Sequence, residues 1–340
     1  MVHTIQGKQV GNIGFGLMGL KFPPGRITEE QAFATIKAAL DAGCNYMNAG
    51  EFYGTPTDNT LTLLNNYYAR YPEDIDKILL NVKGCVFENF RPECSPSAIR
   101  TSISNSVRMI GGGGAGGEGK VRINQFEPAR KDPLLEIEPI VEALKGYVED
   151  GSIGGIALSE VSAATIRRAA KLVRVEAVEV EISLWSTEPL ENGVAEACAE
   201  LDIPILAYSP LGRGMLTGQI KSFSDLPEND FRRLLPRFQP DVFEGNLGLV
   251  REVEKLAARK GCTPGQIAIG WVLAVAKRPG MPKIIPIPGA STPERVRENA
   301  VEIELEEADL VELERIMKEF APKGERYHAH ALQSLDNSTA

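Results

Sequence analysis

The chain has 340 residues, and 37 Lys and Arg against 46 Asp and Glu leave a net charge of −9. That length holds one large α/β barrel or two ordinary domains, and 43% hydrophobic with 24% charged residues excludes a disordered or coiled-coil chain. An acidic balance with no basic block argues against nucleic acid or an anionic membrane surface as partner.

The first residues carry no apolar signal core, and no run of about 18 apolar residues occurs. The five cysteines (Cys44, Cys85, Cys94, Cys198 and Cys262) form no C-x-x-C pair. They read as reduced thiols, so the expected setting is intracellular, cytoplasmic or nuclear.

In chain order, a strand pair is expected near 2–10 and strands near 12–15, 44–48, 78–83, 121–126, 153–159, 176–180, 203–208 and 284–288. Amphipathic helices are expected at 28–42, 59–71, 95–110, 139–150, 162–173, 191–201, 247–260, 264–276 and 293–301, with an extra terminal helix at 306–320. The strands stand out as apolar, β-branched runs such as Ile78-Leu79-Leu80-Asn81-Val82. Helix starts carry hydroxyl caps at Thr28, Ser162 and Thr263, the last followed by Pro264 at N1, and stops fall at Gly43, Gly151 and Gly261. Eight strands alternating with helices, and no low-complexity linker, predict one closed (β/α)₈ TIM barrel spanning 1–340. The strand pair would cap its bottom, and the terminal helix would be an addition.

Two glycine-rich stretches imitate phosphate-binding motifs. Gly14-Phe15-Gly16-Leu17-Met18-Gly19 matches G-x-G-x-x-G, but Pro23-Pro24 follows where the pyrophosphate helix should run, so it reads as a plain turn. Gly114-Ala115-Gly116-Gly117-Glu118-Gly119-Lys120 lacks the Ser or Thr after the lysine, because Val121 stands there, and reads as a surface loop within 111–119.

In a barrel the working face lies at the C-terminal strand ends. Those ends offer Asn48, Tyr53, Lys83, Glu127 with Arg130, Ser159-Glu160, Glu179 to Glu181, Tyr208-Ser209 and the stretch 289–299. The set holds a phenol and an amine but no Cys–His pair, and His3, His328 and His330 lie near the termini with no third metal ligand placed by spacing. Lys83 could be a Schiff-base nucleophile, a charge partner or a snorkelling stem, and Tyr53 could equally be a packed turn aromatic ending at Gly54.

These residues resemble the aldo-keto reductase family. The resemblance rests on Asn45-Tyr46-Met47-Asn48-Ala49-Gly50-Glu51-Phe52-Tyr53-Gly54, Val82-Lys83, and Gly154-Gly155-Ile156-Ala157-Leu158-Ser159-Glu160. It continues through Ala207-Tyr208-Ser209-Pro210-Leu211-Gly212-Arg213-Gly214 and Ile287-Pro288-Gly289-Ala290-Ser291-Thr292-Pro293-Glu294-Arg295-Val296-Arg297-Glu298-Asn299. The segments 48–54, 126–132 and 326–330 are most similar to the branch of fungal pyridoxal reductases.

The resemblance implies NADPH and the reduction of a small aldehyde, pyridoxal within that branch, by a monomer or weak oligomer. It makes Tyr53 the general acid, with Lys83 and Asn48 as its catalytic neighbours. It assigns the cofactor to Ser159, Glu179, Tyr208, Ser209, Leu211, Gly212 and Arg213, with Ser291, Arg295, Glu298 and Asn299 at the adenosine end and Arg295 facing the 2′-phosphate. Four positions depart from the family pattern: Asn48 for the Asp that pairs with the lysine, Ala129 for the catalytic His, Glu179 for the carboxamide-binding Gln, and Gly289 for a Lys near the 2′-phosphate. Competing expectations are a broad aldehyde reductase, an NADPH-binding regulatory subunit like the potassium-channel β subunits, and a Schiff-base lyase using Lys83.

Overall fold

The computed structural model describes residues 3–25, 27–87, 91–111, 123–332 and 335–336. An antiparallel hairpin, β1 (His3–Ile5) and β2 (Lys8–Val10), precedes an eight-stranded all-parallel sheet. The sheet strands are β3 (Phe15–Gly16), β4 (Tyr46–Gly50), β5 (Leu79–Gly84), β6 (Gln125–Pro128), β7 (Ile156–Ser159), β8 (Val175–Glu181), β9 (Ile205–Tyr208) and β10 (Ile284–Pro286). They pair in chain order, and a parallel bridge between Gly16 and Gly289 joins the two ends of the sheet. The (β/α)₈ barrel is therefore closed.

The seam explains the first glycine stretch. A Cβ on Gly14 would lie 2.6 Å from the Tyr46 carbonyl oxygen, and one on Gly16 would lie 2.9 Å from that of Ile287, so only glycine lets β3 lie against both neighbours. A helix does begin inside the motif, contrary to the sequence reading, but α1 (Met18–Lys21) is a single turn that ends before Pro23. Gly111 closes the helix preceding the second glycine stretch, and 112–122 lie outside the described residues.

The outer helices are α2 (Glu29–Asp41), α3 (Thr60–Arg70), α4 (Pro96–Met109), α5 (Ile137–Glu149), α6 (Ala163–Ala170), α7 (Val194–Glu200), α8 (Pro240–Lys260), α9 (Pro264–Ala276), α10 (Pro293–Asn299) and α11 (Glu307–Glu319). Thr28, Ser162 and Thr263 each accept a backbone N–H as N-caps, and Gly43, Gly151 and Gly261 adopt positive φ at the stops. Helix α8 starts seven residues before the expected 247. Its first two turns break the apolar pattern because Asn246 occupies a core-facing position, donating to the carbonyls of Arg237 (2.8 Å) and Lys323 (2.9 Å).

Two apolar layers result. One lies between the sheet and the helices. The other fills the barrel bottom with Tyr46, Leu79, Ala157, Ala177, Leu206, Ile285 and Ile287, and the hairpin plugs it with Ile5 and Val10. All five cysteines are unpaired. Among the described residues no helix is long and apolar enough to cross a membrane, and no group of three or more His, Cys, Asp or Glu side chains is placed to hold a metal.

Candidate active site

Side chains alternate along a strand, so the residues above the apolar barrel floor also point inward. Here they turn polar. The Tyr46 hydroxyl donates to Gln125 Oε1, which also accepts from Asn81 Nδ2 at 3.4 Å. Asn48 Nδ2 donates to Asn81 Oδ1 at 2.8 Å and to Glu179 Oε2 at 2.7 Å, and Lys83 Nζ donates to Glu179 Oε1 at 2.5 Å. A hydrogen-bonded chain thus climbs from the barrel centre to the mouth and ends on the Lys83 ammonium.

Lys83 is buried, which opposes its charge, yet Glu179, with help from Tyr53 and Glu127, lifts its pKa above the ordinary lysine value. Its counter-ion comes from β8, across the barrel, while Asn48 on β4 holds the far oxygen of the same carboxylate. Glu127 stands beside Lys83 in the strand register, with its Oε1 3.8 Å from Nζ. Neither Glu127 oxygen receives a hydrogen bond from any described donor. Burial, then the neighbouring Glu179 charge, pushes the Glu127 pKa far above the carboxylate range. Both burial and the second carboxylate therefore favour a proton on Glu127, while Glu179 holds the direct hydrogen bond to the Lys83 ammonium.

Tyr53 reaches this cluster by a tight return after β4. Its N–H bonds to the Gly50 carbonyl at 3.2 Å, and its ring folds back over Gly50, where a Cβ would lie 3.0–3.1 Å from ring carbons. Burial raises its phenol to about 12; Lys83 pulls down, and Glu179 and Glu127 push up.

The opposite wall is built around Tyr208 at the end of β9, with the Lys83 ammonium 5.1 Å from its ring centroid. A C-terminal segment that sequence reading left unassigned crosses the mouth here. Arg237 and Asn246 donate to the carbonyls of Gly324 (3.0 Å) and Lys323 (2.9 Å), and Arg213 donates to that of Arg326 (3.0 Å). Arg326 is ion-paired to Glu160 at 2.9 Å and to Glu181 at 3.2 Å. Burial opposes charge on Glu160, but Arg326 and Arg130 hold it down at about 2. The segment delivers the Tyr327 hydroxyl to that of Tyr208, 2.8 Å away. The one sequence signal for it was the 326–330 resemblance.

Among the residues assigned to cofactor from sequence, Glu179 is bound to Lys83 and Asn48, and Ser159 lies 3.5 Å from Arg130. The others line one edge of the mouth. The turn after Tyr208 has positive φ at Ser209, Gly212, Arg213 and Gly214, a backbone that repeatedly reverses the direction of its N–H groups. Helix α9 ties this turn to α10: Gly265 packs on Leu211, and Gln266 Nε2 donates to the Glu298 carbonyl at 3.1 Å. Ser291 precedes α10, and the Arg295 guanidinium, 41% exposed, pairs with Glu298 at 2.6 Å. Asn299 is buried at the helix end. A ring surface, a backbone turn and a rim guanidinium are groups that could hold the nicotinamide and phosphates of the dinucleotide that the sequence resemblance implies.

Behind the Lys83 strand, Glu51 accepts hydrogen bonds from Ser102 Oγ and from the Cys85 N–H at 3.2 Å. Burial nevertheless raises its carboxyl from 4.5 to about 7. Between those values the folded chain holds a proton that the unfolded chain has released, so stability falls as pH rises through that window and levels above it. Glu51→Gln is expected to flatten this dependence. Thermal midpoints of both proteins from about pH 5 to about pH 8 check it, and equal slopes overturn it.

Comparison with known proteins gives concordant matches. The model of the Aldo/keto reductase family matches residues 12–318. The chain is 38% identical to the "Probable pyridoxal reductase 2" of Schizosaccharomyces pombe, covering 97% of this chain and 98% of that protein. It is 36% identical to the "Putative pyridoxal reductase" of Saccharomyces cerevisiae, covering 92% and 95%. The solved glycerol dehydrogenase AKR11B4 of Gluconobacter oxydans shares the fold, with a TM-score of 0.79 at 21% identity over 95% and 97% of the two chains.

Proposed function

The chain belongs to the aldo/keto reductase family, and from that premise we propose that it is an NADPH-dependent pyridoxal reductase that makes pyridoxine. It is an NADP(H)-dependent oxidoreductase. The observation that carries the finer reading is the near full-length match to two relatives named as pyridoxal reductases.

Bound NADPH supplies the hydride that adds to the aldehyde carbon. The chain's own groups handle position and proton. Tyr208 would present its ring to the nicotinamide, and the 209–214 turn with Arg295 would hold the phosphates. The Tyr53 hydroxyl gives its proton to the carbonyl oxygen as negative charge develops there. With its pKa pushed up to about 12 by burial, the phenol keeps its proton across the neutral range. The neighbouring ammonium of Lys83 stabilises the phenolate left behind.

Purified protein is expected to oxidise NADPH in proportion to added pyridoxal, with pyridoxine as the product. Equal turnover of unrelated aldehydes and none of pyridoxal would replace this reading with a general aldehyde reductase. Tight NADPH binding without turnover of any aldehyde would favour a regulatory subunit.

A further inference from the structure

Three guanidinium groups surround the ring of Tyr327, with Cζ at 4.4 Å (Arg213), 5.6 Å (Arg130) and 5.8 Å (Arg326) from its centroid. Two of them are neutralised within the chain: Arg213 by Glu181 at 3.1 Å, and Arg326 by Glu160 and Glu181. Arg130 differs. It donates only to neutral acceptors: the Ala129 carbonyl at 2.5 Å, Ser159 Oγ at 3.5 Å and the Tyr327 hydroxyl at 3.2 Å. No carboxylate among the described residues forms an ion pair with it. Glu160, whose field reaches it, is already held by two bonds from Arg326, at 2.9 and 3.3 Å. A half-buried cation with only neutral partners remains unfavourable until an anion joins it.

Its position is equally specific. Arg130 follows β6 where the chain reaches the mouth, and the preceding Ala129 has no polar side-chain atom to offer a substrate. The Tyr327 hydroxyl links Arg130 to Tyr208, and the Tyr208 ring faces Lys83. The guanidinium also acts electrostatically on the Tyr53 phenol. The proton donor and the unpaired cation therefore serve the same opening.

We propose that Arg130 selects the substrate by pairing with an ionised oxygen carried beside the reacting carbonyl, so that aromatic aldehydes with a neighbouring oxyanion are preferred. This rests on the reading above, since pyridoxal carries such a ring oxygen next to its aldehyde. The pairing has two effects. It binds the anion through a charge-assisted bond, and it draws back electron density that the oxyanion would otherwise feed into the carbonyl, keeping the carbon receptive to hydride.

The test compares two aldehydes that differ only in that oxygen, 3-hydroxypyridine-4-carboxaldehyde and pyridine-4-carboxaldehyde, each with NADPH and beside pyridoxal. The natural protein is expected to favour the hydroxylated compound by about 10- to 100-fold in kcat/KM. Arg130→Gln is expected to bring that ratio close to one, and Arg130→Lys to restore part of it, since it keeps the charge and loses the fork. Quenching of protein fluorescence by NADPH, measured on each variant, shows that the cofactor site is intact. An unchanged ratio in Arg130→Gln, or no preference in the natural protein, overturns the proposal while leaving pyridoxal reduction standing. Turnover of pyridine-4-carboxaldehyde without turnover of pyridoxal overturns the parent reading.

Discussion

Tyr53→Phe is expected to lower kcat for pyridoxal reduction by about 10²- to 10⁴-fold, the usual contribution of a positioned general acid. The ring stays, so its fold over Gly50 and its edge-to-face contact with Phe52, centroids 4.8 Å apart, survive the change. Only the hydroxyl is removed. NADPH affinity should therefore change little, and the loss should appear in kcat more than in KM. The pH profile gives a second handle. A phenol at about 12 stays protonated across the neutral range, so reduction should show no loss that tracks Tyr53 ionisation until strongly alkaline pH. Stopped-flow measurement of NADPH oxidation separates these terms, and a decrease below about tenfold would remove Tyr53 from the proton-donor role.

The barrel was legible because its strands are buried on both faces and therefore read as apolar runs, as at Leu79–Gly84 and Ile205–Tyr208. Strand β6 shows the converse. Its inward residues Gln125 and Glu127 are polar, so the apolar signal pointed upstream, to 121–126 rather than Gln125–Pro128. Strand-end reasoning brought Tyr53, Lys83, Glu127, Glu179 and Arg130 onto one list, because the C-terminal rim of a parallel barrel collects such groups whatever their separation in sequence. It did not reveal who pairs with whom. Lys83 and Glu179 are 96 residues apart and meet only through closure of the sheet. Tyr208 and Tyr327 are 119 residues apart and meet because the C-terminal segment is tied down over the mouth, Arg326 by Glu160 and Glu181 and its backbone by Arg213, Arg237 and Asn246. Local pattern contains no term for either meeting.

The Lys83 cluster leads to the other large expected effect, which is non-additive. Two carboxyls face one ammonium: Glu179 bonds it directly at 2.5 Å, and burial beside Glu179 favours the protonated form of Glu127. Glu127→Gln replaces a neutral carboxyl by a neutral amide of the same shape, so its cost in stability should be small. Glu179→Gln removes the charge, but it also removes the repulsion that keeps Glu127 protonated. Glu127, 3.8 Å from Nζ, should then ionise and take over as counter-ion, which limits the damage. The double variant Glu127→Gln/Glu179→Gln has no such reserve. It leaves a buried ammonium with no carboxylate beside it, a situation that costs about 3–5 kcal/mol or drives the lysine to shed its proton. The first outcome appears as lost stability, and the second strips Tyr53 of the cation that stabilises its phenolate, so that reduction falls as well. Urea midpoints and kcat for the three variants complete a double-mutant cycle. A double variant no worse than the sum of two mild singles would mean that the proton does not move between these carboxyls. A Glu127→Gln variant as damaged as Glu179→Gln would mean that Glu127 already carries charge in the natural protein, and that the ammonium is balanced by both.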